Sequence, residues 1–187
     1  MSDGVVEESI RGQLLVAMPE LLDPNFARSV VLILEHTDEG ALGVVLNQPR
    51  LVGGGEAVPQ WAERLAYPDR LYRGGPVSVN SIIGLGRSSG QSTEGISTLQ
   101  GRLGVVDLHQ HPSVVPEIDH VRLFSGYAGW GSGQLEAELA TGGWIIVDAC
   151  EEDACTPDPE ELWRDVLGRQ NGFIGLLAGY PDDSSLN

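Results

Sequence analysis

An α+β fold, built on a mixed or antiparallel sheet with a few peripheral helices, is what this sequence predicts, and three observations predict it. The apolar runs are strand-sized, such as Leu14-Leu15-Val16-Ala17-Met18 and Val30-Val31-Leu32-Ile33-Leu34. Twenty-five glycines and eleven prolines punctuate the chain into short elements. No long alternation of helix and strand runs through it, which argues against a doubly wound parallel sheet. A chain of 187 residues has room for one domain, 1–187, and no internal repeat or linker divides it. A chain of this size buries roughly 70% of its unfolded surface and needs no staples.

The elements follow in order. Residues 13–18 read as a strand ended by Pro19, and 29–35 as a β-branched strand buried on both faces. Thr37-Asp38-Glu39-Gly40 is a hairpin turn into a return strand at 41–47. After a loop at 49–55, residues 57–66 suit a short helix with Trp61 and Leu65 at helical spacing. Extended pieces are expected at 71–73 and 79–85, then a polar loop at 86–95. A hairpin is expected from 95–99 and 103–108. A strand at 120–125 leads into a glycine-rich loop at 126–133, a short helix at 134–140 and a strand at 144–149. The final helix reads most clearly: Asp158 as cap, Pro159 first, Glu161 third, an apolar stripe of Leu162, Val166 and Leu167 with Trp163 beside it, and Gly172 as stop.

Charge excludes one class of function. Twenty-seven acidic residues face eleven basic ones, all Arg, for a net charge of −16. The arginines are scattered, and neutralising phosphates is what dominates nucleic-acid affinity, so direct nucleic-acid binding is not expected. No apolar run approaches the ~20 residues of a spanning helix, and the acidic start of the chain does not read as a secretory signal. The expected place is the cytoplasm, with no membrane partner. Cys150 and Cys155 are too few for a disulfide scaffold and are expected to be free thiols.

Three motifs invite chemistry. Gly-Arg-Ser-Ser-Gly at 86–90 has the spacing of a hydrolase elbow, which needs a strand before the serine and a helix after it; residues 91–95 make a poor helix, so a loop is expected. His109-Gln110-His111 with Asp107 offers metal-ligand types, but Pro112 follows at once and a firm third and fourth ligand are missing; solvated loop histidines and no metal are expected. The run Gly-Tyr-Ala-Gly-Trp-Gly-Ser-Gly at 126–133 leads into a helix, where free N–H groups favour an anion. No Lys follows as in a phosphate loop, and Glu136 and Glu138 repel anions. The alternative is a tight turn that packs Tyr127 and Trp130 on the core.

That last stretch, Phe124-Ser125-Gly126-Tyr127-Ala128-Gly129-Trp130-Gly131-Ser132-Gly133-Gln134-Leu135-Glu136-Ala137-Glu138-Leu139, resembles the signature of the YqgE/AlgH family. Gly12-Gln13-Leu14-Leu15-Val16-Ala17-Met18-Pro19, Asp23-Pro24-Asn25-Phe26, Arg28-Ser29-Val30-Val31, Glu35-His36, 40–49 and Gly74-Gly75-Pro76-Val77 continue the resemblance over nearly the whole length. Residues 53–55 and 107–120 fall outside it. The resemblance implies a largely antiparallel, bifurcated sheet curled into a pseudo-barrel with helices around it. Some members of the family carry a transcriptional-regulator label, yet no helix-turn-helix is visible here.

Two classes of function stay open. One is a non-enzymatic regulatory or interaction protein, acting through a protein partner or small ligand at a surface pocket around His36, Asn47, Tyr127, Trp130 and Gln134, with no cofactor. The other is an enzyme or a nucleotide- or small-molecule-binding protein that uses 126–133 at the helix N-terminus. No trio of nucleophile, base and orienting group stands out, and the first class is favoured.

Overall fold

A computed structural model describes residues 8–182. Along them run β1 (Leu14–Ala17), β2 (Val30–Thr37), β3 (Gly40–Val45), α1 (Gly54–Ala57), β4 (Leu71–Arg73), β5 (Val77–Ser88), β6 (Ile96–Gln100), β7 (Leu103–Val106), β8 (Ile118–Gly131), α2 (Gln134–Ala140), β9 (Trp144–Val147), α3 (Leu162–Gly168) and α4 (Gly172–Leu176). The strands form one sheet in the order β6-β7-β5-β8-β3-β2-β1-β9, with β4 beside β8. Every pairing is antiparallel except β4 with β8.

The alternation of side chains across a strand explains the layers. In β2, Val30, Leu32 and Leu34 enter one core while Val31 and Ile33 enter another on the opposite face. All five are buried, as the unbroken apolar run predicts. The first core is covered by α3 through Leu162, Trp163, Val166 and Leu167. The second is covered by α2 through Leu135 and Leu139, with Trp130 and Trp144 beneath. A third core gathers Trp61, Val115, Ile118 and Val121 under the β5–β6–β7 half.

The sheet forks at β8. One side of β8 pairs with β4 at Leu123–Ser125 and with β3 at Ala128–Gly131. Gly74 sits in the crotch: its N–H donates to Ser125 O (2.9 Å) and its carbonyl accepts from Val45 N–H (2.8 Å). A Cβ on Gly74 would lie 2.3 Å from Gly126 O, and Gly126, at φ 72°, would put its own Cβ 2.6 Å from Gly75 O. Only hydrogen side chains fit where the two backbones cross.

The sheet curls without closing into a barrel. The free strands β6 and β9 do not pair with each other; other contacts bridge the gap. Arg11 donates to Thr98 O (both amino nitrogens at 3.1 Å), and Glu151 accepts from Arg102 N–H (2.9 Å).

Five expectations need correction. Residues 126–131 are strand, not loop: Gly129 and Trp130 pair with Leu42 and Ala41, so sheet partners outweigh the local glycine preference, and only Ser132 and Gly133 turn. β5 likewise runs through Gly86 to Ser88, opposite Leu103 and Gly104 of β7. Residues 57–66 are not one α-helix; α1 ends at Ala57 and a 3-10 helix (Pro59–Arg64) follows, Pro59 being unable to continue the hydrogen-bond ladder. Asp158 does not cap α3: its carbonyl accepts from Glu161 N–H in a turn, and the helix starts at Leu162. Gly172 opens α4 rather than stopping α3, which ends at Gly168.

Candidate functional site

β2, β3 and β8 place His36, Ala41 and Trp130 in one row, because His36 pairs with Ala41 and Ala41 with Trp130. α2 lies over that row. His36 Nδ1 accepts from the Ile10 backbone N–H (3.2 Å). The remaining nitrogen, Nε2, therefore carries the proton and donates to Glu136 Oε1 at 2.9 Å. This hydrogen bond holds the Glu136 carboxyl below its ordinary range.

Around the pair lies a groove of about 580 Å³ lined by Glu8, Ser9, His36, Thr37, Asp38, Gly133 and Glu136. A neighbouring cavity of about 470 Å³ shares Glu8, His36 and Glu136 and adds the apolar Ile10, Leu139 and Ile146. Ser132 Oγ donates to Asp38 O (2.7 Å), tying the β2–β3 turn to the turn before α2. Three carboxylates and one imidazole committed as a donor make this a cation-accepting surface. α2 has seven residues and carries Glu136 in its first turn, so its N-terminus is a poor anion site.

Behind the groove, one carboxylate organises the aromatic residues. Glu138 Oε2 accepts from Trp130 Nε1 (3.0 Å) and Trp144 Nε1 (2.9 Å), and Glu138 Oε1 accepts from Gln134 Nε2 (3.1 Å). Gln134 Oε1 in turn accepts from Gly131 N–H at 3.1 Å. Phe26 completes the cluster, 5.6 Å from Trp144 and 6.2 Å from Trp130 between ring centres.

His36, Trp130 and Gln134 thus meet around α2. Tyr127 and Asn47 do not join them. Tyr127 packs on the first core, on the opposite face from Trp130. Asn47 braces the turn before β2: Oδ1 accepts from Val30 N–H and Nδ2 donates to Arg28 O, both at 2.9 Å. Asn47 also lines a separate cleft of about 270 Å³ with Ala27, Arg28, Gln48, Glu160, Trp163, Arg164 and Asp182. Sequence reasoning missed Arg28 and Arg164, which no spacing connects, and Glu138, whose two indole partners lie on different strands.

The other motifs are spent locally. Ser88 is buried and donates to the carbonyls of Gly90 or Ser92 (3.2 Å each). Asp107 accepts from His109 N–H and Gln110, and His111 Nδ1 accepts from Ser113 N–H. Both cysteines are free thiols, and burial pushes the Cys155 thiol up to about 11.

Comparison with known proteins matches residues 14–174 to the AlgH-like family model. A UPF0301 protein of Streptomyces coelicolor is 46% identical over the full length of both chains, and one of Thermobifida fusca is 41% identical over 96% of each. Among solved structures, a Corynebacterium diphtheriae protein superposes with a TM-score of 0.88 at 33% identity, covering 92% of this chain and 93% of that one. The solution structure of AlgH from Pseudomonas aeruginosa aligns at 0.66 and 27% identity over 98% and 99%. A forked sheet, matched from end to end by these folds and sequences, places the chain plainly: it belongs to the AlgH-like family.

Proposed function

We propose that this chain is a non-enzymatic regulatory interaction protein of the cytoplasm that engages a basic segment of a protein partner and does not contact DNA directly. The groove at His36 carries the reading: Glu8, Asp38 and Glu136 converge on it, and its one imidazole already donates to Glu136. Such a surface attracts Arg or Lys side chains, steers their approach and repels a phosphate backbone. Two free thiols suit a reducing compartment. An anion site at 126–133 has less support, since strand β8 occupies that stretch up to Gly131.

The test is titration of the full chain with a fluorescent Arg-rich octapeptide. Asp38→Asn combined with Glu136→Gln should weaken binding severalfold, whereas Glu63→Gln with Glu94→Gln, exposed acids elsewhere, removes the same charge and should change little. Equal losses in the two pairs would show diffuse attraction to an acidic surface and overturn the groove.

A further inference from the structure

The cleft at Asn47 holds a second, oppositely charged arrangement. Arg28 and Arg164 converge on the Asp182 carboxylate, at 3.2 and 2.7 Å from the same oxygen. The same two side chains also take the backbone carbonyls of the segment leading to it. Arg164 donates to Ala178 O and Tyr180 O, and Arg28 donates to Tyr180 O and Pro181 O. A stretch of peptide is therefore read by side-chain donors at its carbonyls and by a guanidinium pair at its acid.

The receiving side is built in advance. Arg28 stacks on Trp163, 4.6 Å from the ring centre, and the Trp163 indole is fixed by donating to Ala17 O at 2.8 Å. Arg28 is a non-glycine residue in the left-handed region, at φ 54°. The amide of Asn47 holds it there by gripping Arg28 O and Val30 N–H. A strained residue held by its neighbours in this way is a recurrent mark of ligand clamps. The acid of the occupant, by contrast, is loosely held: the Asp182 side chain is 81% exposed, and exposed ion pairs contribute little and exchange readily. Glu160 also lines the cleft and sets a limit on how much negative charge it accepts.

We propose that the Arg28–Arg164 cleft is a receptor for an acidic peptide segment of a partner protein, occupied in cis by the chain's own segment at 178–182. This segment acts as an internal competitor, and a partner segment bearing a carboxylate just after a helical turn replaces it. This site is independent of the acidic groove at His36 and opposite to it in charge.

The probe is a fluorescein-labelled peptide with the sequence of residues 178–187, titrated into the full chain by anisotropy. Asp182→Asn removes both ion pairs of the internal competitor and should tighten peptide binding at least about threefold, the scale of one exposed ion pair or more. In that background, Arg28→Gln with Arg164→Gln should lower affinity at least about tenfold, as should Asn in place of both aspartates of the peptide. Succinate in place of peptide should compete only weakly, since it offers no backbone carbonyls; competition as strong as the peptide's would mean a small-carboxylate site and overturn the peptide assignment. Should the double Arg variant not fold, nitrogen-15 spectra of the unaltered chain decide. Unlabelled peptide should move the Arg28 and Arg164 Nε–H signals and the amides of Ala178, Gly179, Tyr180 and Asp182 together. No binding to any form, or binding that leaves those signals still, overturns the proposal.

Discussion

Glu138 shows how much one side chain can organise. Its two oxygens serve two indoles and one amide, and all three partners come from different elements. Glu138→Ala leaves two buried indole N–H groups without an acceptor, at about 1–3 kcal/mol each. The urea midpoint should fall clearly and the tryptophan emission shift to the red as α2 loosens. Trp130, 6% exposed, should cost a comparable amount: Trp130→Ala removes a large buried ring and should destabilise by about 3–5 kcal/mol. A variant unfolding at the wild-type urea midpoint would refute the anchoring role. Glu136 sets a pH dependence. Its folded pKa is depressed below the ordinary 4.5 by the His36 hydrogen bond, so the unfolded chain binds the proton first as pH falls. The stability it lends is present above about pH 4.5 and is lost as pH drops through the folded value. Glu136→Gln should flatten that acid limb in urea midpoints measured from pH 6 to 3. The partly buried Cys155 thiol works at the other end: with its pKa raised to about 11 from 9.0, the folded state keeps a proton that the unfolded chain releases. Stability should therefore decline between pH 9 and 11, and at pH 8 a thiol reagent should label exposed Cys150 well before Cys155.

At the scale of elements, β8 carries an unusual passenger. Arg122 is 2% exposed, and among the described residues no carboxylate pairs with it. It donates instead to Thr156 O (2.7 Å) and Tyr67 O (2.9 Å) and lies 4.6 Å from the centre of the Tyr72 ring. It therefore ties β8 to the connections before β4 and before α3. Arg122→Lys cannot reach both carbonyls and stack at once, and leaving one unsatisfied should cost about 1–3 kcal/mol, seen as a lower melting temperature. The strands themselves were legible from sequence because β2 and the β2–β3 hairpin obey local rules of burial and turn chemistry. The first half of β8, at 120–125, was legible too; 126–131 was not, because a run of Gly, Tyr, Ala and Trp looks like a loop until β3 and β5 are known to lie beside it. The caps of α3 misled for a related reason: Asp158 and Pro159 shape a turn one step ahead of the helix. Of the candidate site, the cluster of His36, Trp130 and Gln134 sits where the resemblance drew attention. The Arg28–Arg164 pairing arises only when the chain's tail returns to the start of β2, which no local pattern encodes.

For the whole molecule, charge remains the plainest determinant. A net −16 spread over the chain leaves few counterions to release from DNA, so anisotropy with a duplex at about 150 mM salt should show no sub-micromolar binding. The family relationship fixes the architecture, and within it the fork at Gly74 has a kinetic consequence. β8 is held by β5 on one side and by β3 and β4 in turn on the other, so neither half of the sheet can open fully while its amides stay bonded. Local openings should stop at the fork, and complete exposure of β8 should require global unfolding. Native-state hydrogen exchange would then find the slowest amides in 121–130, with β6 and β9, the outer strands, exchanging first.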